Sequence, residues 1–211
     1  MTEPESIEAY AERVYAAQAA AGGHLPLAAD GFTSWAVFPF EGELRAKPLE
    51  PLVEDEAPRA GEDPDTCWCT DSGRTTPDWP VVWHNETWHI KTAPPSGSPL
   101  ILVLEPNAHH DLADLPPDLA AEYGVLSVLL VRAIEALPSV GRCHTARWGD
   151  GGAHAHAWFL ARPARLPQLR GTFMAAWDDI LPPMPAAARD DNADFVIDRL
   201  IADHGGERAG G

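Results

Sequence analysis

The chain has 211 residues, a length that suits one domain or at most two and that can bury a substantial core. It carries 32 acidic residues against 15 lysines and arginines, a formal net charge of −17. That charge argues against binding to nucleic acid and to an anionic membrane surface. The three cysteines are too few for the disulfide framework of a small secreted domain. No signal-peptide pattern or membrane-spanning apolar run is present, so a cytoplasmic protein is expected.

The first part of the chain, residues 1–65, is predicted to be an accessory segment followed by a linker. Residues 3–21 have apolar side chains at helical spacing, and residues 32–47 have the aromatic content and turn residues of a short hairpin. Residues 48–65 contain four prolines and seven acidic residues, a composition typical of a solvated linker.

The main domain is predicted over residues 66–165. Strands are predicted at residues 81–83, 87–92 and 100–105, and a long helix over residues 114–137. Two further strands, at residues 142–148 and 153–161, flank a glycine-rich loop at residues 149–152, the glycine loop. Two short helices are predicted in the C-terminal extension, residues 166–211. This order predicts an α+β domain with a mostly antiparallel sheet and one long helix packed on it.

The most distinctive motif is His154-Ala155-His156-Ala157-Trp158, which follows the glycine-rich loop directly. On a strand, His154, His156 and Trp158 would share one face, with the two imidazoles about 7 Å apart. The ordinary interpretation is a pair of surface or hydrogen-bonded histidines. The glycines favour a functional site, because their backbone N–H groups can approach an anion closely.

The order of these motifs resembles the histidine triad (HIT) superfamily, which includes nucleotide hydrolases and galactose-1-phosphate uridylyltransferases. The resemblance runs from about residue 67 to residue 162. It is carried by Cys67-Trp68-Cys69, residues 81–86, an apolar strand ending in Pro-x-x-His, the long helix, and Gly-Gly-x-His-x-His-x-Trp-x-x-x-Arg. It implies a HIT-like fold and a nucleotidyl hydrolase or transferase whose substrate is a phosphate ester, anhydride or amidate of a small-molecule nucleotide. By analogy with the hydrolases it also implies a homodimer.

The resemblance assigns the nucleophile to His156, the second histidine of the motif. His156 would form a covalent nucleotidyl-histidine, which water or an acceptor then releases. The backbone N–H groups of the glycine loop would stabilise the phosphate oxygens. The substrate-binding residues expected beside His156 are Gly151, Gly152, Trp158, Arg147 and Arg162.

The sequence departs from the HIT pattern at several positions. Trp158 stands where the hydrolases have a third histidine and the uridylyltransferases a glutamine. An indole N–H can donate a hydrogen bond but cannot act as a general acid. The glutamine–serine pair before the motif and the asparagine expected near Ala146 are also absent. Two alternatives therefore stay open: a catalytically silent, zinc-stabilised binding protein on the same fold, and an unrelated α+β protein.

Some members of the superfamily bind a structural zinc ion, and the resemblance assigns its ligands here to Cys67, Cys69, His109 and His154. This is a normal Cys₂His₂ set for Zn²⁺. His110 is a second candidate beside His109. The spacing is Cys-x-Cys rather than Cys-x-x-Cys, so the backbone must curl for both thiols to bind. The alternative is two thiols without a metal and a histidine that only packs.

Overall fold

A computed structural model describes residues 7–24, 37–40, 47–70 and 75–209. The chain divides into two compact units, Met1–Ala57 and Pro58–Gly211. The first unit contains helix α1 (Ile7–Ala20), which is followed by Gly22 and Gly23 in the left-handed conformation that ends helices. The predicted hairpin over residues 32–47 lies largely outside the described residues.

The second unit is a single antiparallel sheet with helices. Within the described residues, its strands are β1 (Val81–His84), β2 (Trp88–Thr92), β3 (Ile101–Pro106), β4 (Val140–Ala146), β5 (Ala157–Pro163) and β6 (Glu207–Arg208). They lie in the order β4-β5-β3-β2-β1-β6, and each neighbouring pair is antiparallel. The helices are α2 (Pro117–Glu135), α3 (Met174–Ile180) and α4 (Ala186–His204). The predicted α+β class with a mostly antiparallel sheet is confirmed. The prediction of one long helix followed by two short ones is wrong for α4, which has 19 residues, as many as α2, and also packs on the sheet.

Helix α2 forms where the sequence supplies both a start signal and an apolar stripe. Pro117 occupies the first turn, where a missing N–H costs nothing, and Asp118 interacts favourably with the positive end of the helix dipole. Its buried side chains recur at helical spacing, and those of α4 do the same. These two stripes form one hydrophobic core with the sheet. Within the described residues, no helix is long and apolar enough to cross a membrane.

The strands present two chemically different faces. On β3, Leu102 and Leu104 are buried in the core with α2 and α4, whereas Val103 and Glu105 line a pocket on the opposite face. Because side chains alternate along a strand, the same division holds on β2 and β5. Thus Lys91 and Trp158 lie on the pocket face. The helices support the sheet from one side and leave the other side available for a ligand.

The predicted domain boundaries at residues 65 and 165 stay predictions. The second compact unit begins at Pro58, inside the segment predicted as a linker. Beyond residue 165, α4 packs in the main core and β6 pairs with β1, so both belong to this unit.

One prediction about the sheet is wrong: the strand predicted over residues 153–161 begins only at Ala157. His154 and His156 therefore lie in the ordered segment that leads into β5. The last β3–β5 pair is Leu104 with Ala157. Continuing that register, Glu105 would lie opposite His156 and Pro106 opposite Ala155, and Pro106 has no N–H to continue the ladder. The Ala155 N–H instead donates to the carbonyl oxygen of His110, at 2.7 Å.

Candidate functional site

A pocket of about 540 Å³ opens on the face of the sheet opposite α2 and α4. Four tryptophans, Trp68, Trp79, Trp148 and Trp158, form most of its walls. The Trp158 ring meets the edges of Trp79 and Trp148, with ring centroids 5.7 and 5.8 Å apart. The pocket also contacts the glycine loop, His156 and the charged pair Lys91 and Glu105. Its size and aromatic lining are typical of a small-molecule site.

His156 stands at this pocket with both ring nitrogens against main-chain oxygens. Its Nδ1 lies 2.7 Å from the carbonyl oxygen of His154, and its Nε2 lies 2.7 Å from that of Trp148. Only a doubly protonated ring can donate to both oxygens. Nucleophilic attack by Nε2 requires a free lone pair, so the Trp148 carbonyl must first move away from the ring.

Contacts with residues 58–70 hold the glycine loop in place. The Ala60 N–H donates to the Gly151 oxygen at 3.1 Å, and the Ala153 N–H donates to the Ala60 oxygen at 3.0 Å. The Trp68 indole packs directly on Gly152, so closely that a Cβ atom there would overlap the ring. A Cβ at Gly151 would meet nothing within 4 Å. Of these two glycines, Gly152 is thus the one that a close approach requires.

The Trp68 ring also connects the two histidines of the motif. Its centroid lies 5.6 Å from that of His154 and 6.0 Å from that of His156, both in edge-to-face contact. Trp68 lies between Cys67 and Cys69 in the sequence. The predicted metal ligands and the predicted nucleophile are therefore linked through one indole ring.

The four predicted zinc ligands lie together. One ligand atom from each of Cys67, Cys69, His109 and His154 lies within 4.8 Å of all the others. His109 Nδ1 is 3.7 Å from Cys69 Sγ. The other candidate, His110, is not in this cluster and lends its main-chain oxygen to Ala155.

His154 is prepared to act as a metal ligand. Its Nε2 lies 3.0 Å from the Pro106 carbonyl oxygen, which fixes the proton on that nitrogen. Its Nδ1 is buried and has no hydrogen-bond partner within the described part of the chain. Burial lowers the pKa of His154 to about 4, so the ring is neutral near pH 7. The Nδ1 lone pair of His154 is thus available to a metal. The two histidine nitrogens and two cysteine sulfurs of the cluster form an N₂S₂ donor set that fits Zn²⁺.

A buried charge cluster forms the floor of the pocket. Glu105 accepts hydrogen bonds from Lys91 Nζ at 2.8 Å, His89 Nε2 at 3.1 Å and Trp68 Nε1 at 3.3 Å. Burial by itself would raise the pKa of Glu105, but the hydrogen bond from His89 and the charge of Lys91 lower it to about 2. Glu105 is therefore a carboxylate at neutral pH, and the cluster combines one anion with buried donors.

The predicted substrate-binding residues divide into two groups. Gly151, Gly152 and Trp158 line the pocket together with His156. Arg147 lies beside His156 but is paired with Asp111, while Arg162 lines a separate pocket.

The Asp111 carboxylate bridges two arginines, Arg147 beside the glycine loop and Arg59 in residues 58–70. It accepts from Arg59 Nη1 at 2.7 Å as well as from Arg147, and Arg59 also donates to the Gly149 oxygen at 3.2 Å. Burial would raise the pKa of Asp111, but the hydrogen bonds from Arg59, the Leu112 N–H and Arg147 lower it. Arg147 thus holds the loop in place through Asp111.

Sequence reasoning missed Trp68, Glu105 and the main-chain oxygen of Trp148. For Glu105 a signal existed, since an acidic residue ends an apolar strand run and a lone lysine lies on the neighbouring strand. The carbonyl of Trp148 has no sequence signal, because every residue has one.

Solved structures of histidine triad proteins are similar to this chain. No protein-family model matches the chain, and no curated protein does. A histidine triad protein from Bradyrhizobium japonicum matches with 15% identity and a TM-score of 0.48, over 58% of this chain and 91% of its own. A hypothetical histidine triad nucleotide-binding protein from Sulfolobus tokodaii matches with 14% identity and a TM-score of 0.48, over 68% and 99%.

A zinc-bound histidine triad family protein from Mycobacterium smegmatis is also similar. Its identity is 17% and its TM-score 0.45, over 64% of this chain and 92% of its own. At such identities the likeness concerns the fold alone. What the pocket binds and does has to be inferred from its own residues.

Proposed function

We propose that this chain is a nucleotide-binding protein of the histidine triad type, which hydrolyses or transfers a nucleotidyl group through His156. The observation that carries the proposal is the position of His156, held by its Nδ1 at a tryptophan-lined pocket beside the glycine loop. The substrate is a phosphate ester, anhydride or amidate of a small-molecule nucleotide. A homodimer in the cytoplasm is part of the same proposal.

The pocket walls support the binding of a planar base. Indole rings offer large flat surfaces on which a base stacks, and the cavity of about 540 Å³ lies within the usual range for small ligands. The Trp158 indole N–H is buried without a hydrogen-bond partner within the described residues. A phosphate oxygen or a base acceptor would satisfy that donor.

The chemical step follows from the position of the ring. Once the Trp148 carbonyl moves away and Nε2 gives its proton to water, the Nε2 lone pair attacks the α-phosphorus of the nucleotide. A nitrogen–phosphorus bond forms while the bond from phosphorus to the leaving group breaks, and the leaving group takes its proton from water. The His154 carbonyl oxygen accepts the Nδ1–H and stabilises the positive charge on the ring. Water or an acceptor hydroxyl then attacks the phosphorus and returns the free ring.

The glycine loop and the zinc ligands position these groups. The backbone N–H groups of Gly151 and Gly152 would donate to phosphate oxygens as charge builds on them. Zn²⁺ held by Cys67, Cys69, His109 and His154 would supply a structural cross-link and no step of the reaction. It would fix His154, whose carbonyl oxygen positions the nucleophile.

The alternative, a zinc-stabilised binding protein without catalysis, is favoured by two observations. The Trp148 carbonyl oxygen lies against the nitrogen that must attack, and Trp158 cannot supply a proton to the leaving group. Under this alternative, the protein would bind nucleotides and form no covalent intermediate.

A covalent-adduct experiment separates the two functions. The protein is incubated with nucleoside phosphoramidates, dinucleoside polyphosphates and nucleotide-sugars, and its mass is measured. A transient nucleotidyl mass that disappears on acid treatment and survives mild base is expected, because phosphoramidate bonds are acid-labile. His156→Ala should abolish it, whereas His84→Ala, at a histidine outside this pocket, should retain it. Neither turnover nor adduct across the panel, with the protein folded and zinc-loaded, would favour the non-catalytic alternative.

A further inference from the structure

A second pocket, of about 350 Å³, lies at the far end of β4 and β5 and is rich in positive charge. Four arginines line it together with His144, and none of its lining residues is acidic; the arginines are Arg142, Arg162, Arg165 and Arg170. They are four of only 15 lysines and arginines in a chain of net charge −17. Such a concentration of like charge is unfavourable unless an anion neutralises it.

The arginines of this pocket lack acidic partners. Within the described residues, none of the four forms an ion pair. Other arginines in the same part of the chain do pair with carboxylates, namely Arg59, Arg147, Arg189 and Arg208. Carboxylates thus neutralise these four arginines, whereas the arginines of this pocket keep their positive charge unpaired within the described residues.

The Arg162 guanidinium packs against Gly141, which has no side chain and so leaves room for it. A Cβ atom on Gly141 would lie 2.5 Å from Arg162 Nη2 and 3.2 Å from the Cα of Ala164. Arg162 Nη1 donates to the Pro163 oxygen at 3.0 Å. The guanidinium is therefore fixed on the glycine before any ligand arrives, which reduces the entropy lost on binding.

Arg165 has an unusual backbone conformation. Among the described residues it is the one non-glycine residue with a positive φ, 64°. The left-handed conformation is unfavourable for such a residue and occurs preferentially at functional sites. Here it turns the chain directly after β5, so that Arg165 lines the same pocket as Arg162.

From these contacts we infer that the arginine pocket binds a small ligand with two or more linked phosphate groups. Planar guanidinium groups match phosphate oxygens two at a time, and several of them around one cavity favour a multiply charged anion. The site differs from the His156 pocket: Arg162 lies four residues along β5 from Trp158, about 13 Å, on the same face. The inference goes beyond the proposed function and does not depend on it.

Calorimetric titration of the full chain with inorganic triphosphate tests the inference. At constant ionic strength, triphosphate should bind more tightly than diphosphate, and orthophosphate most weakly. Arg142→Ser with Arg170→Ser should weaken triphosphate binding at least tenfold. The matched control is Arg132→Ser with Arg199→Ser, which changes the net charge equally at two helical arginines outside the pocket and should leave the affinity unchanged.

Two further variants locate the binding. Gly141→Ala keeps every charge but displaces the Arg162 guanidinium, so it should weaken triphosphate binding severalfold. His156→Ala should keep triphosphate binding, whatever it does to nucleotidyl chemistry. The inference is overturned by no triphosphate binding at low salt, by equal losses in the two arginine double variants, or by loss of binding in His156→Ala.

Discussion

Glu105 is a buried carboxylate whose charge is determined by its neighbours. It is buried on a strand of apolar residues, yet Lys91 and His89 keep it ionised and lower its pKa to about 2. A carboxylate with a lowered pKa adds stability that is present above its unfolded pKa, 4.5, and is lost as the pH falls towards 2. This contribution amounts to about 3 kcal/mol.

Glu105→Gln should therefore destabilise the protein by about 3 kcal/mol or more at pH 7, since it also leaves Lys91 buried without its counter-charge. The difference in unfolding free energy between the two proteins should shrink by about 3 kcal/mol between pH 5 and pH 2. Urea unfolding across that range measures it, and the titrating groups that do not contact Glu105 cancel because both proteins share them. Glu86→Gln, at an exposed carboxylate outside the cluster, is the control; a pH-independent difference for Glu105→Gln would contradict the prediction.

The four residues that the resemblance named as zinc ligands lie together in the structure, but the resemblance could not describe how they meet. The residue types and their order along the chain are visible in the sequence. That Cys-x-Cys curls so that both thiols face His109 and His154 depends on tertiary contacts, such as the packing of Trp68 on Gly152. The sequence also does not reveal that a side chain at position 152 would clash with Trp68, because the position of the indole depends on the fold.

At the scale of elements, the zinc ligands connect three segments that lie outside the strands. Cys67→Ser should release the metal from a protein that contains about one zinc per chain, and it should lower the melting temperature, because a structural metal contributes folding free energy. The matched control is Cys143→Ser, on β4, whose zinc content should not change. Burial raises the pKa of the Cys143 thiol to about 12, and Cys143 is not part of the cluster. Purified protein without zinc, or full zinc content in Cys67→Ser, would contradict the assignment.

The glycine loop offers a comparison between adjacent residues. Gly152→Ala should lower the unfolding free energy by about 1–3 kcal/mol, because the added methyl group overlaps the Trp68 ring and the loop or the indole must shift. Gly151→Ala adds the same methyl group where nothing lies within 4 Å, so its melting temperature should stay close to that of the parent. Equal melting temperatures for the two variants would show that Trp68 does not pack tightly on the loop.

The long helix was predictable from its periodic apolar pattern, and β3 from an uninterrupted apolar run. Residues 81–83, 87–92 and 100–105 agree with β1, β2 and β3 within a residue or so, and the predicted helix contains α2. The start of β5 was not predictable from periodicity. Small residues alternate with histidines through residues 153–157, but the pairing partner required there is Pro106, which cannot donate. Strand formation at this point depends on the neighbour across the sheet.

At the scale of the whole molecule, the sheet, the core and the candidate site all belong to the second compact unit. Apart from Ala11, the buried apolar residues run from Cys67 to Leu200. The fragment 58–211 should therefore fold cooperatively, bind zinc and retain the chemistry of His156. Composition alone predicted a linker up to residue 65, because the prolines and acidic residues there are typical of solvated chain.

Residues 58–65 should nevertheless contribute to stability. Ala60 exchanges two main-chain hydrogen bonds with the glycine loop, and Arg59 bonds to Asp111 and to the Gly149 oxygen. Each such hydrogen bond is worth about 1 kcal/mol, so the fragment 66–211 should be less stable than 58–211 by about 2 kcal/mol or more. Urea unfolding of the two fragments measures the difference. Equal stability would place the domain boundary at residue 65 after all, and failure of 58–211 to fold would show that the second unit requires the first.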